Sequence, residues 1–132
     1  TTARGRMSPP VSFRLLTGAT AEAGLAALPP TGLAILYKHS SRCGISLMAR
    51  EEVELFAAAR PDVPIFQLDV AAQRPLSQAL AALLGVPHAS PQVVLLRDQR
   101  SIWSASHFRI TAAALRAAAS GDPGESTGRR AS

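Results

Sequence analysis

Leu33-Ala34-Ile35-Leu36-Tyr37-Lys38-His39-Ser40-Ser41-Arg42-Cys43-Gly44-Ile45-Ser46 decides how the rest of the chain is read. Its first five residues form an apolar run of the length and composition of a buried strand. A polar turn follows, from Lys38 to Arg42. At Cys43 or Gly44 a helical pattern opens, with Ile45, Met48, Ala49, Val53, Phe56 and Ala57 on one face and Arg50, Glu51 and Glu54 on the other. A strand that feeds a helix through a short turn sets Cys43 in the helix's first turn. There the unpaired backbone N–H groups and the positive end of the helix dipole favour an anion. Arg42 and Lys38 add positive charge, and Ser40, Ser41 and Arg42 argue that the sulfur is exposed. The thiolate is the nucleophilic form of cysteine, and these are the surroundings that lower a thiol pKa.

Working outward, Phe13 to Leu16 reads as a short strand, Thr17-Gly18 as a turn, and Thr20 as the cap of a helix that runs to Leu28 and is stopped by Pro29-Pro30 and Gly32. Beyond the central stretch, Pro61 and Pro64 bracket a break. Ile65 to Val70 is a strand, and Arg74 to Leu84 is a helix ended by Gly85. Val86 to Pro91 is an extended loop. Gln92 to Arg97 is a strand that Asp98-Gln99-Arg100 turns into a return strand, Ser101 to Ala105. Thr111 caps a closing helix that reaches about Ala119. No internal repeat occurs. The order β-α-β-α-β-α-β-β-α calls for right-handed parallel crossovers early and an antiparallel pair at the end. The expected fold is therefore α/β: a thioredoxin-like three-layer α/β/α sandwich around a mixed sheet of four to five strands. The expected domain spans 12–120, between a flexible arm (1–11) and a disordered tail (121–132) rich in Gly, Pro and charge.

Composition narrows the function. The chain has 132 residues, enough for one core. No apolar run is long enough to span a membrane, and the first ten residues lack the apolar core of a secretory signal. One cysteine cannot build a disulfide framework, which fits a reducing compartment, so the expected location is cytoplasmic. The net charge of +5 comes from fourteen basic residues, of which only Lys38 is lysine. That lean suits an anionic ligand or acidic partner. The arginines are scattered and aromatics make up 5%, so nucleic acid is not an expected partner.

In a thioredoxin layout a cis proline before a strand packs beside the reactive cysteine. Pro91 has that place, and the backbone of Ser90 would face the thiol and pair with an extended substrate. Ser46 stands where a second cysteine of a Cys-x-x-Cys pair would be. No internal thiol can then resolve a mixed disulfide, so a separate thiol must do it, and the chemistry expected is monothiol exchange. Ser46 Oγ and His39 are candidates to stabilise the thiolate. His39 reads equally as a packed or hydrogen-bonded strand end. His39, His88 and His107 with Cys43 lack the spacing of a zinc site, so no metal is expected. Trp103 reads as packed on a sheet face and Asp69 as a capping or solvated residue.

Three blocks carry a family resemblance: Lys38-His39-Ser40-Ser41-Arg42-Cys43-Gly44-Ile45-Ser46, His88-Ala89-Ser90-Pro91-Gln92-Val93 and Ala105-Ser106-His107-Phe108. Over about residues 12–117 the chain resembles the monothiol bacilliredoxins, thioredoxin-fold proteins of the bacterial bacillithiol system. The resemblance implies an oxidoreductase in which Cys43 takes bacillithiol from S-bacillithiolated client proteins and a second bacillithiol regenerates it. Bacillithiol would be a co-substrate, with no tightly bound cofactor. Arg42, Gly44, Ser46 and His39 would then surround the thiolate, and Lys38, Ser41, Ser90, Pro91, Gln92 and His107 would meet the small thiol or the substrate. Its malate carboxylates suit Arg42, Lys38 or Arg109. One departure is Gly44, where the family usually has proline. Cys-Gly-Ile-Ser is also similar to the Cys-Gly-Phe-Ser of monothiol glutaredoxins, which carry a [2Fe–2S] cluster. Their Gly-Gly pair after the hairpin is missing here, so a cluster carrier, or a non-catalytic binding module, is the alternative.

Overall fold

The computed structural model describes residues 13–40 and 44–120. The expected arm and tail, together with Ser41, Arg42 and Cys43, lie outside the described residues. Five strands and four α-helices follow the expected order: β1 (Arg14–Leu15), α1 (Ala21–Ala26), β2 (Leu33–His39), α2 (Gly44–Ala59), β3 (Ile65–Asp69), α3 (Arg74–Leu84), β4 (Gln92–Arg97), β5 (Arg100–Ser106) and α4 (Ala112–Ala119), with one 3₁₀ turn at His107–Arg109. The sheet runs β1-β3-β2-β4-β5. β1 and β2 lie parallel to β3, while β4 is antiparallel to both β2 and β5.

β2 reads as a continuous apolar run because both its faces are covered. Ile35 and Tyr37 point into a core with Ala49, Val53 and Phe56 of α2 and Leu115 of α4. Ala34 and Leu36 point the other way, into a core with Leu28, Leu76 and Leu80 behind α1 and α3. Alternate strand residues project to opposite faces, so one strand feeds two layers. Trp103 packs against the first of these cores, as expected.

The element ends follow local chemistry. Thr20 Oγ1 accepts from Ala23 N and Thr111 Oγ1 from Ala114 N, so both threonines cap as read. Gly85 ends α3 in the left-handed region (φ 71°). α1 stops at Ala26, two residues earlier than expected. Leu28 N is already bonded to Leu25 O, a tighter final turn that delivers the chain to Pro29. The hairpin turn is two residues, not three. Asp98 and Gln99 both take positive φ, and Arg100 pairs with Arg97. Gln99 Nε2 donates to the carbonyls of Leu25 and Leu28, tying the hairpin to the end of α1.

One face assignment is corrected. Met48 does not belong to the core and is 54% exposed, whereas Ser46 is fully buried. The buried line of α2 is Ser46, Ala49, Val53 and Phe56, rotated from the expected stripe because Tyr37 rises from β2 beneath the helix's first turn.

Candidate functional site

The site forms where β2 ends, α2 begins and β4 starts. The antiparallel register sets Gln92 opposite Lys38. Pro91 therefore comes in beside the end of β2, where the chain leaves toward Cys43. The Ser90–Pro91 peptide is cis, the geometry expected of this stretch, and Pro91 is buried. Pro91 O accepts from His107 N at 3.1 Å, so the loop before β4 and the end of β5 are joined at this point.

Tyr37, read from sequence only as part of a buried strand, organises the start of α2. Its hydroxyl donates to Ser46 O at 3.2 Å and lies 2.8 Å from His39 Nδ1. A phenol has one proton, so with that proton on the Ser46 carbonyl the imidazole must donate Nδ1–H to the phenol oxygen. The chain is His39 to Tyr37 to the first turn of α2. Burial pushes the Tyr37 pKa up to about 12, against the lowering effect of the nearby Arg50 guanidinium, so the phenol stays a donor. Burial, with Arg50 adding to it and Asp69 opposing, holds His39 below the ordinary histidine value. His39 is thus mostly uncharged at neutral pH, and whatever it gives a thiolate comes through hydrogen bonding and not through charge. A polar residue closing an apolar strand run was the signal that could have singled out Tyr37.

Gly44 is exposed at the first position of α2, and a methyl group added to it would meet nothing within 4 Å. Among the described residues, nothing in the packing therefore requires glycine here. Gly44→Ala is expected to raise the unfolding free energy by about 0.4–1 kcal/mol, chiefly by restricting the unfolded chain, as measured by urea denaturation.

Two of the expected ligand-facing residues are corrected. Lys38 is 1% exposed, and its Nζ donates to Ser77 O and meets His88 Nδ1, each at 3.2 Å. Gln92 is 4% exposed, and its Nε2 donates to Pro87 O at 2.9 Å. Both point into the layer occupied by α3, away from α2, because neighbours on a strand alternate faces and Tyr37 takes the α2 side. Neither is open to a small thiol's carboxylates. Asp69 caps a turn, its Oδ1 accepting from Ala71 N and Ala72 N.

Among the described residues, three buried side-chain polar atoms have no hydrogen-bond partner: Ser46 Oγ, Ser90 Oγ and Gln92 Oε1. A buried hydroxyl left unpaired costs on the order of 1–3 kcal/mol, so such groups mark places kept for chemistry or for a ligand. Two of them flank the site, in the first turn of α2 and beside the cis proline. A trough of about 170 Å³ runs between α2 and the 3₁₀ turn, lined by Ile45, Met48, Glu51, Glu52, His107 and Phe108 among others. The exposed Met48 and Phe108 (54% and 69%) give it an apolar rim that sequence reasoning did not find. His107 and Arg109 are exposed at its edge. Among the described residues no cluster of His, Cys, Asp or Glu is arranged to hold a metal, and no helix is long and apolar enough to cross a membrane.

A β2–α2 unit parallel to β3 and a cis proline just before β4, with the chain's sole cysteine falling between β2 and α2 in the sequence, are the features of a thioredoxin-fold thiol-redox protein. Solved structures bear this out. A thioredoxin-fold protein described as a candidate oxidoreductase is 25% identical, with a TM-score of 0.72, over 80% of this chain and 92% of its own. Thioredoxin from Fasciola hepatica is 25% identical (TM-score 0.63; 82% and 97% covered). Mitochondrial thioredoxin 3 from Saccharomyces cerevisiae shares the fold at 20% identity (TM-score 0.62; 82% and 93% covered). The family model "Monothiol bacilliredoxin BrxC" matches residues 18–115, and the chain belongs to that family.

Proposed function

We propose that the protein removes bacillithiol from S-bacillithiolated client proteins by monothiol exchange at Cys43. The Cys43 thiolate attacks the sulfur of the bacillithiol half of the client's mixed disulfide. The client leaves as its thiolate, and Cys43–S–S–bacillithiol forms. A second bacillithiol thiolate then attacks that disulfide, leaving oxidised bacillithiol and restoring Cys43. Bacillithiol is thus a co-substrate and clients are the second partner, in a reducing compartment such as the bacterial cytoplasm. The observation that carries this reading is Ser46, fully buried three residues after the chain's sole cysteine, where a resolving thiol would stand. The family match over residues 18–115 supports the identity of the small thiol. The apolar trough beside α2 suits the client's surface, and the backbone beside Pro91 suits its extended segment.

The test compares one model protein carrying bacillithiol with the same protein carrying glutathione. The bacillithiolated form is expected to be the better substrate by kcat/KM, with a single bacillithiol adduct on Cys43 by intact mass. Equal rates would remove bacillithiol from the proposal. An unmodified Cys43 in folded protein would remove the exchange itself.

A further inference from the structure

The chain's one lysine is a buried ammonium for which thiol exchange has no use. Taking an ammonium out of water without a carboxylate is costly, and an apolar side chain would fill the same space more cheaply. What the ammonium does touch is the loop that leads to Pro91. Nζ is 3.2 Å from His88 Nδ1, and Ser77 Oγ lies 3.3 Å from the same nitrogen. Nδ1 has one lone pair, and the two lengths are those of donors sharing it. Lys38 Nζ also donates to Ser77 O, which fixes its own position against α3. One residue back along the loop, Pro87 O is held by Gln92 Nε2, and Gln92 sits directly opposite Lys38 in the sheet. The loop is therefore tied from beneath at Pro87 and His88, and on its far side Pro91 O takes His107 N.

We propose that Lys38, acting through His88, is a positioning residue that holds the segment from Pro87 to Pro91 in the shape that receives the client's backbone. The role in client recognition rests on the exchange reading above; the anchoring of the loop does not. The link has a polarity. The ammonium donates, so His88 Nδ1 must be bare and the ring proton sits on Nε2. Protonating the ring would turn an N–H toward the ammonium and break the link. His88 faces Lys38 on β2 and Ser77 and Arg74 on α3. Burial, then the charges of Lys38 and Arg74, hold its pKa below the ordinary 6.5. Lys38 Nζ itself meets Ser77 O and His88 Nδ1 and, among the described residues, no carboxylate, and burial brings its pKa down to about 8. As an amine above that value it can still donate. The link therefore persists through neutral pH and is lost on the acid side, as His88 gains a proton.

The experiment uses the full chain and the variants Lys38→Met, His88→Ala and His88→Asn, whose carboxamide oxygen takes the place of Nδ1 and does not titrate. The expected result is a rise in KM for an S-bacillithiolated protein of about five- to tenfold in Lys38→Met and His88→Ala, the size of one ordinary hydrogen bond lost. Attack by Cys43 on oxidised bacillithiol, which needs no client backbone, is expected to stay within about twofold. Amide exchange at Ala89 and Ser90 is expected to quicken in both variants. His88→Asn is expected to restore KM at neutral pH and to abolish the acid rise seen in the unsubstituted protein. Unchanged amide exchange in His88→Ala would overturn the anchor, and His88 is exposed enough that this variant keeps its fold even if Lys38→Met does not. An acid rise that survives in His88→Asn would overturn the polarity, and a parallel loss of the small-disulfide rate would assign Lys38 to the sulfur instead. Failure of the unsubstituted protein on both substrates would fall on the exchange reading, while the amide exchange still decides the anchor.

Discussion

Replacing Cys43 by serine is expected to bring client dethiolation down by at least about a thousandfold, to the uncatalysed background, with the fold intact. The two side chains differ by one atom, but an alcohol stays protonated at neutral pH in surroundings that ionise a thiol. No second cysteine exists to stand in for the first. Release of bacillithiol from a labelled client reads the rate, and intact mass after treatment with oxidised bacillithiol should show no adduct. Circular dichroism and thermal unfolding matching the unsubstituted protein complete the test. Activity that survives the substitution would mean that the thiol is not the nucleophile.

The converse substitution, Ser46→Cys, should change the reaction order. Residues three apart at a helix start face the same side with their Cα atoms about 5 Å apart, within the Cα span of a disulfide. Ser46 is fully buried with its hydroxyl unpaired, so the larger sulfur displaces no hydrogen bond of the serine side chain, and Tyr37 still donates to the carbonyl of residue 46. A thiol there can attack the Cys43 mixed disulfide, release bacillithiol and close an internal disulfide. After treatment with oxidised bacillithiol the variant is expected to be two hydrogens lighter than its reduced form and to carry no adduct, where the unsubstituted chain holds one bacillithiol. Burial raises the pKa of the new thiol, so closure should quicken as pH rises. A lasting adduct on Cys43 beside a free thiol at position 46 would show that position 46 is not the resolving position.

Much of this was legible along the chain. The bounds of α3 and β4 follow from sequence because Gly85 and Pro91 are hard local limits, and Thr20 and Thr111 cap as their side chains dictate. The cis form of the Ser90–Pro91 bond was also readable, from a proline set between an extended loop and a buried strand. The helical stripe of α2 was less secure. Periodicity says which residues share a face but leaves the phase to whatever packs beneath, and Tyr37 shifted it from Met48 to Ser46. Lys38 and Gln92 went the same way. As charged and polar residues beside a reactive turn they read as ligand contacts, and nothing local says that they turn inward.

The order of the elements, their types and the placing of one thiol after a central strand were determined by the sequence alone, because hydrophobic period, caps and breakers act within a few residues. The tertiary structure alone decided what Tyr37 and Lys38 do. Adjacent strand residues enter opposite layers, and their partners, Ser46 on one side and Ser77 and His88 on the other, lie 9, 39 and 50 positions away. Only the stacking of helices on both faces of the sheet brings such distant groups within hydrogen-bonding reach.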